Sequence, residues 1–186
     1  TQGSTTAGFQ EALDYAWANA RDIYVVGGGL NLDRTTGVSY HTTETIHFPP
    51  GLNRRFEGGE YWLFHHSASS DSIVIDSQVN CYFKFGTTVG GSSTAEQVII
   101  RIKPMTSGAD GQVSFYGNEF EINALVGSGG GWHTDMSTCT GIGMVLDGSQ
   151  AIGGIHNNKF YLDEVILLHR GLYLQQDVYN NTFESP

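Results

Sequence analysis

Hydrophobic and polar residues alternate over short segments along most of this chain, instead of recurring at a helical period. Residues 73–76 (IVID) and 144–147 (MVLD) are examples, and each is followed by a polar turn. Alternation over a few residues, bounded by turn-forming residues, is typical of a β-strand with one buried face. The pattern therefore predicts an all-β protein built from short strands.

A repeated frame, Asn-x-Phe, indicates how these strands stack. Its asparagines are Asn118, Asn158 and Asn181, so successive copies lie 40 and 23 residues apart. A period near 23 that tolerates insertions is typical of stacked coils, each coil being one supersecondary unit. We expect each Asn to take a left-handed backbone conformation at a tight bend and to hydrogen-bond through its amide along the stack. The predicted fold is a right-handed parallel β-helix.

Residues 5–20 are the one segment with a convincing helical period, and either Thr5 or Thr6 can serve as the N-cap. One face of this helix carries the apolar side chains Phe9, Leu13, Ala16, Trp17 and Ala20. Such a face must cover something, and the open end of a β-stack would otherwise expose strand edges and core side chains. We therefore expect a single domain, 1–186, in which an N-terminal capping α-helix (5–20) covers coils formed by 22–186. The chain starts without Met and has no evident closing segment, so we expect it to be part of a longer chain.

Composition narrows the range of partners. The chain has 186 residues, of which 15% are charged, and its net charge is −10. Phosphate and anionic lipid surfaces require a basic face, so we expect neither nucleic acid nor membrane as the main partner. The many Gly, Ser, Thr and Asn residues favour an extracellular location, on a secreted protein or on a virion or cell surface.

The two cysteines, Cys81 and Cys139, leave two interpretations open. They either form a disulfide or remain two buried free thiols. Neither lies in a CxxC motif, which argues against a cysteine-based zinc site.

Two segments resemble a known superfamily. Residues 9–20 (FQEALDYAWANA), then a strand and glycines, then 43–59 (TETIHFPPGLNRRFEGG) resemble the N-terminal part of pectate-lyase-like β-helix proteins. That superfamily includes polysaccharide lyases, polygalacturonase-like hydrolases, epimerases and phage tailspikes. The likeness covers residues 5–59 in order and 141–183 in repeat style. It implies the fold, a polysaccharide partner and, for spike-type members, a homotrimer, but it carries no catalytic motif.

Four strands are expected to stack in one sheet: 73–76, 100–103, 144–147 and 172–175. Strand alternation points one set of side chains inward: Ile73, Ile75, Ile100, Ile102, Met144, Leu146, Leu172 and Leu174. The other set forms an outward row: Val74, Asp76, Arg101, Lys103, Val145, Asp147, Tyr173 and Gln175. Aromatic rings stack on sugar faces and charged groups bind hydroxyls or carboxylates, so this row suits an extended glycan.

The catalytic candidates in this row are Asp76, Lys103 and Asp147, and the substrate-binding candidates are Arg101, Tyr173 and Gln175. Neighbouring strands lie about 4.8 Å apart, which places the two aspartates roughly 10 Å from each other. This is near the about 6.5–9.5 Å between the acid and base of inverting glycosidases. In a lyase, Lys103 or Arg101 would instead neutralise a uronate or take its C5 proton, and an aspartate could hold a calcium ion. The simplest alternative is a solvated face whose charges pair across strands.

The insertion at residues 126–140 offers a second group of substrate-binding candidates, Trp132, His133 and Asp135. These are sugar-stacking, proton-transfer and acidic side chains, and the preceding GSGGG run suits a binding loop. The alternative is a loop packed on a neighbouring coil or subunit.

Two functions therefore remain open: a polysaccharide lyase or glycoside hydrolase, and a non-catalytic segment of a tailspike, fibre or adhesin.

Overall fold

The computed structural model describes residues 5–25, 39–58, 61–67, 69–90, 97–108, 111–127 and 141–185. These residues form short strands and one helix, α1 (Phe9–Ala18). The all-β prediction with one N-terminal helix is confirmed. None of the helices in the described ranges is long and apolar enough to cross a membrane.

The strands make three sheets, and every strand pairing within them is parallel. Sheet A contains β1 (Ile23–Tyr24), β5 (Arg55–Glu57), β9 (Tyr82–Gly90), β12 (Glu119–Gly127), β15 (Lys159–Ile166) and β18 (Thr182–Glu184), extended by β2 (Ser39–Thr42) and β6 (Trp62–His65). Sheet B contains β3 (Ile46–Phe48), β7 (Ile73–Ile75), β10 (Val98–Ile102), β13 (Ile142–Leu146) and β16 (Arg170–Leu174). Sheet C contains β4 (Gly51–Leu52), β8 (Gln78–Val79), β11 (Phe115–Tyr116), β14 (Ile155–His156) and β17 (Val178–Tyr179).

The chain passes through sheets B, C and A in that order, coil after coil, from β3 to β18. Strands in the middle of each sheet therefore pair with strands of both the preceding and the following coil, and the strands at the sheet edges pair with one coil. This is the stacked-coil architecture that the repeat predicts, and it is consistent with a parallel β-helix.

The core lies between the three sheets and is built of like residues stacked from coil to coil. On sheet A the rings of Phe83, Phe120, Phe160 and Phe183 stack at centroid distances of 4.7, 4.9 and 5.0 Å. On sheet B the residues predicted to point inward from β7, β10 and β13 are at most 1% exposed: Ile73, Ile75, Ile100, Ile102, Met144 and Leu146. Leu172 of β16 is half-buried and Leu174 is exposed, because β16 pairs with β13 alone among the described strands.

The predicted asparagine stack lies at the turn between sheets C and A. The Nδ2 of Asn118 donates to the Oδ1 of Asn158, and the Nδ2 of Asn158 donates to the Oδ1 of Asn181, each at 2.9 Å. The predicted left-handed backbone is wrong for these residues. The positive φ falls one position earlier, at Gly117 (69°), Asn157 (55°) and Asn180 (52°). The preceding residue makes the bend, which leaves the buried Asn free to hydrogen-bond along the stack.

Cys81 occupies the position equivalent to Asn118 in the preceding coil, at the end of the asparagine stack. Its backbone N–H donates to the Oδ1 of Asn118 at 2.9 Å, as Asn118 N–H does to Asn158. Its Sγ accepts the backbone N–H of Arg54 and donates to the Val79 carbonyl, both at 3.4 Å. Cys81 is a free, buried thiol, which removes it from the disulfide interpretation, while Cys139 lies outside the described residues.

Helix α1 packs its apolar face on the start of the stack, as predicted for a cap. Phe9, Leu13, Ala16 and Trp17 are buried, and the Trp17 ring meets Phe48 of β3 edge-on at 5.8 Å. The predicted N-cap is wrong, since α1 begins after Gly8 (φ 83°), which has no side chain to cap it. Ala20 lies beyond the helix with φ 54° and is exposed.

Candidate functional site

The outer face of sheet B carries the predicted row in the predicted register. Arg101 pairs with Val74 and Val145, and Val145 pairs with Tyr173. The alignment continues one residue past the strands. Lys103 N–H donates to Ile75 O, Asp147 N–H to Ile102 O and Gln175 N–H to Leu146 O, at 3.0, 2.9 and 2.9 Å. Lys103 therefore lies between Asp76 and Asp147, with Gln175 beyond them.

Lys103 and Asp147 form an ion pair at the centre of this row. The Lys103 Nζ lies 3.6 Å from the Asp147 Oδ2, and Asp147 is only 9% exposed. Its Oδ1 accepts the backbone N–H of Ser149 at 3.1 Å. Burial by itself would raise the pKa of Asp147, but the hydrogen bonds of Ser149 and the charge of Lys103 outweigh it and lower the pKa. Asp147 is therefore a carboxylate at neutral pH, suited to accept a proton or bind a cation and unsuited to donate a proton.

Asp76 is engaged in holding a turn. Its Oδ1 accepts the backbone N–H groups of Ser77, Met105 and Thr106 at 2.7, 2.6 and 2.9 Å. Three amides on one carboxylate oxygen tie the end of β7 to the turn that follows β10. The position is as predicted, but these contacts give Asp76 a structural task, which the sequence pattern did not indicate.

Arg101 also has a partner within the protein, and it forms an ion pair with a residue outside the predicted row. Its Nε lies 2.5 Å from the Oδ2 of Asp71, and its Nη2 donates to the Oδ1 at 3.4 Å. Asp71 also accepts the backbone N–H of Val98 at 3.1 Å. The sequence pattern does not indicate Asp71, because this residue precedes its strand and gives no periodic signal.

The outer face is not uniformly solvated. Val145 points outward between two core residues, yet it is 1% exposed and forms an apolar cluster with Val98 and Ile142. The outer face therefore combines charges that pair across strands, as the simplest alternative expects, with a buried apolar patch.

A cleft of about 450 Å³ opens beside the ion pair. It is lined by Asp147, Ser149, Tyr173, Gln175 and Gln176. The Tyr173 ring is partly exposed and carries the guanidinium of Arg170 over it, 5.1 Å from the centroid. Two amides, one hydroxyl, one ring and one carboxylate are the groups that bind sugar hydroxyls and sugar faces.

A larger cleft, about 620 Å³, lies on the outer face of sheet A, where no site was predicted. Its lining includes four acids and one base: Glu119, Glu121, Asp163, Glu184 and Lys84. Lys84 Nζ lies 3.0 Å from Glu121 Oε2 and lowers the pKa of Glu121, with help from the Tyr82 hydroxyl. The alternation of polar residues around a central Phe in 82–84 (YFK) and 119–121 (EFE) is the signal that could have indicated this face. We favour sheet B because its ion pair is more buried and its cleft has fewer charges.

The predicted loop residues Trp132, His133 and Asp135 lie outside the described residues. Within the described ranges, no three His, Cys, Asp or Glu residues are grouped so that they could hold a metal ion. A calcium ion therefore stays a prediction without a described ligand set. Comparison with known proteins returned no matching family model, no matching curated protein and no matching solved structure.

Proposed function

We propose that this protein binds an extended polysaccharide along the outer face of sheet B and acts on it as a lyase or glycoside hydrolase. The observation that carries the proposal is the cleft beside the Lys103–Asp147 pair. We also propose that the coils form a right-handed parallel β-helix of the pectate-lyase-like superfamily and that the protein works outside the cell. These proposals rest on the repeat, the residues of the N-terminal resemblance and the stacked parallel sheets.

A parallel sheet is a suitable support for such a ligand. Its strands repeat about every 4.8 Å and place equivalent side chains in straight rows. Tyr173 offers a ring, Gln175 offers both a hydrogen-bond donor and an acceptor, and both project from strands or strand ends instead of long loops. Groups held on strands keep their spacing, so successive sugar units can be bound with little ordering cost.

Within this site, Asp147 is proposed as the reactive carboxylate and Lys103 as its partner. A carboxylate kept ionised can accept a proton from water or from the substrate. The Lys103 ammonium, 3.6 Å away, can stabilise negative charge that develops nearby. Asp76, held by three backbone amides, would fix the turn that carries Lys103 into position.

One observation favours the alternative, a non-catalytic glycan-binding or structural segment of a spike, fibre or adhesin. The charged members of the row are each satisfied within the protein: Asp76 by backbone amides, Arg101 by Asp71, and Lys103 by Asp147. Spike-type β-helix proteins assemble as trimers, so we propose a homotrimer for this alternative. Light scattering of the purified protein would measure its mass in solution.

Product analysis separates the two functions. The protein would be incubated with a broad polysaccharide panel, with calcium and with chelator, and the products read by mass spectrometry. Unsaturated ends would identify a lyase, and hydrated oligosaccharides would identify a hydrolase. Absence of any product would rule out the enzyme and leave binding.

Paired variants assign the site. Asp147→Asn and Lys103→Met should abolish turnover and retain binding. The matched control is the exposed Lys84–Glu121 pair on sheet A, altered as Lys84→Met and Glu121→Gln, which should leave turnover unchanged. The reverse result would move the active site to the sheet A cleft.

A further inference from the structure

We infer that the polysaccharide bound on sheet B is a neutral polymer, without uronate carboxylates or sulfates. The inference rests on the proposed function, because it names the substrate class of that same site. Three features of the face support it: its cations are paired, its cleft has a fixed negative charge, and its remaining lining is uncharged and polar.

The two cations of the row are occupied by partners within the protein. Arg101 is held by Asp71 at 2.5 Å, in a pair whose side chains are 27% and 19% exposed. Lys103 is held by Asp147, whose side chain is 12% exposed. A uronate would have to displace a protein carboxylate from either cation, and a partly buried carboxylate left without its partner is costly. Neither residue is therefore available to bind an anionic sugar.

The cleft itself presents a negative charge. Asp147 lines it as an ionised carboxylate, and no cation is found among the described residues of its lining. A sugar carboxylate entering beside Asp147 would meet like charge in a partly desolvated site. The protein's net charge of −10 adds repulsion at longer range.

The other lining groups match hydroxyls. Gln175 and Gln176 each offer an amide that donates and accepts, and Ser149 adds a hydroxyl. Arg170 is the one described cation in contact with Tyr173, and its guanidinium lies over the ring. The positive charge of Arg170 is thus directed at one face of the Tyr173 ring, and the opposite face of the ring is oriented to stack on a sugar.

A neutral substrate also limits the chemistry. β-Elimination requires a proton made acidic by the adjacent carboxyl group of a uronate, and a neutral sugar has no such group. The site can then perform hydrolysis, or binding without catalysis. Of the two enzyme classes that the sequence leaves open, this excludes the lyase and keeps the glycoside hydrolase.

The test uses polymers that differ only in charge. Uronic acid polymers such as polygalacturonate and alginate would each be paired with its carboxyl-reduced form, alongside neutral glucans, mannans, galactans and xylans. Binding would be measured by affinity electrophoresis and calorimetry at low and high salt. We expect binding to one or more neutral or reduced polymers, no binding to their acidic parents, and no weakening by salt.

Variants connect the result to the cleft. Tyr173→Ala should weaken binding about tenfold or more, because an aromatic anchor is lost. Tyr179→Ala is the matched control, since Tyr179 is also an exposed tyrosine but lies on sheet C. Asp147→Asn should allow binding of at least one acidic parent that the wild type excludes.

The outcomes are distinguishable. Salt-sensitive binding to acidic polymers alone would overturn the neutral-ligand inference and leave the proposed function standing. Binding to none of the polymers would overturn the proposed function itself. Tyr161 lines the sheet A cleft. Neutral binding that survives Tyr173→Ala but is lost in Tyr161→Ala would move the ligand to that cleft and overturn both.

Discussion

Asn158 shows how much of this fold depends on a single buried amide. Its Oδ1 accepts both the backbone N–H and the Nδ2 of Asn118, and its Nδ2 donates to Asn181 and to the His156 carbonyl. Three coils are thus linked through one side chain that is 1% exposed. Removing it would leave buried donors without acceptors, and each such donor costs about 1–3 kcal/mol.

We therefore expect Asn158→Ala to lower the free energy of unfolding by about 3 kcal/mol, as measured by chemical denaturation. The neighbour Asn157 is exposed, with φ 55°, and serves as the control. Asn157→Gly should change stability by less than about 1 kcal/mol, because Gly adopts positive φ readily. Equal losses in the two variants would show that the amide stack is not the source of the stability.

The depressed pKa of Asp147 predicts a pH effect on stability. A carboxyl whose pKa is lower in the folded than in the unfolded protein stabilises the fold above its usual value of 3.8, and that contribution is lost as the pH falls through the folded pKa. The stability difference between the wild type and Asp147→Asn should therefore be largest near neutral pH and shrink in acid below the usual value. Denaturation across pH measures this difference. A constant difference at all pH values would contradict it, and the exposed Asp163→Asn is the control.

The thiol of Cys81 gives a further prediction at the residue scale. Burial raises its pKa, although the backbone N–H of Arg54 partly opposes the shift. The reactive thiolate is therefore scarce and inaccessible in the folded protein. We expect iodoacetamide to leave Cys81 unmodified at pH 8 under native conditions and to modify it in denaturant, as shown by peptide mass mapping. Rapid native modification would mean that this coil opens readily.

At the scale of elements, α1 covers the core where the stack begins, against β1 and β3. Leu13 is fully buried against the stack, whereas Tyr15, two residues on, is 61% exposed. Leu13→Ala should lower the free energy of unfolding by about 3 kcal/mol, from lost burial and the cavity left behind. Tyr15→Ala should change it by about 0.5 kcal/mol or less. Thermal or chemical denaturation compares the two, and similar effects would contradict a capping role.

At the scale of the whole molecule, stability should vary from coil to coil. Among the described strands, β9, β10, β12 and β13 pair on both sides, while β16, β17 and β18 each pair on one side only. Stacked repeats contact only their neighbours, so local opening is easiest where one neighbour is absent. We expect hydrogen exchange to be slowest in peptides from β9 to β13 and fastest in those from β16 to β18. Uniform protection would instead indicate one fully cooperative unit.

The sequence was informative about everything that repeats locally. Strand alternation placed Ile100 and Ile102 inside and Arg101 outside, and the Asn-x-Phe frame placed Asn118 against Asn158. These predictions held because alternation is imposed by strand geometry at each residue, and because a stack aligns equivalent positions of successive coils. The charge row of Lys103 between Asp76 and Asp147 followed from the same two regularities.

The tertiary structure alone decided what each of those charges contacts. Asp71 lies 30 residues before Arg101, and the turn at Met105 lies 29 residues after Asp76. Neither contact has a period, because each depends on where a loop between strands happens to fold. The sequence by itself determined the coils and which side chains point outward. The tertiary structure decided which of those side chains remain available to bind a ligand. The reason is that loops between the strands set which charged side chains pair across coils, and strand alternation does not predict the path of a loop.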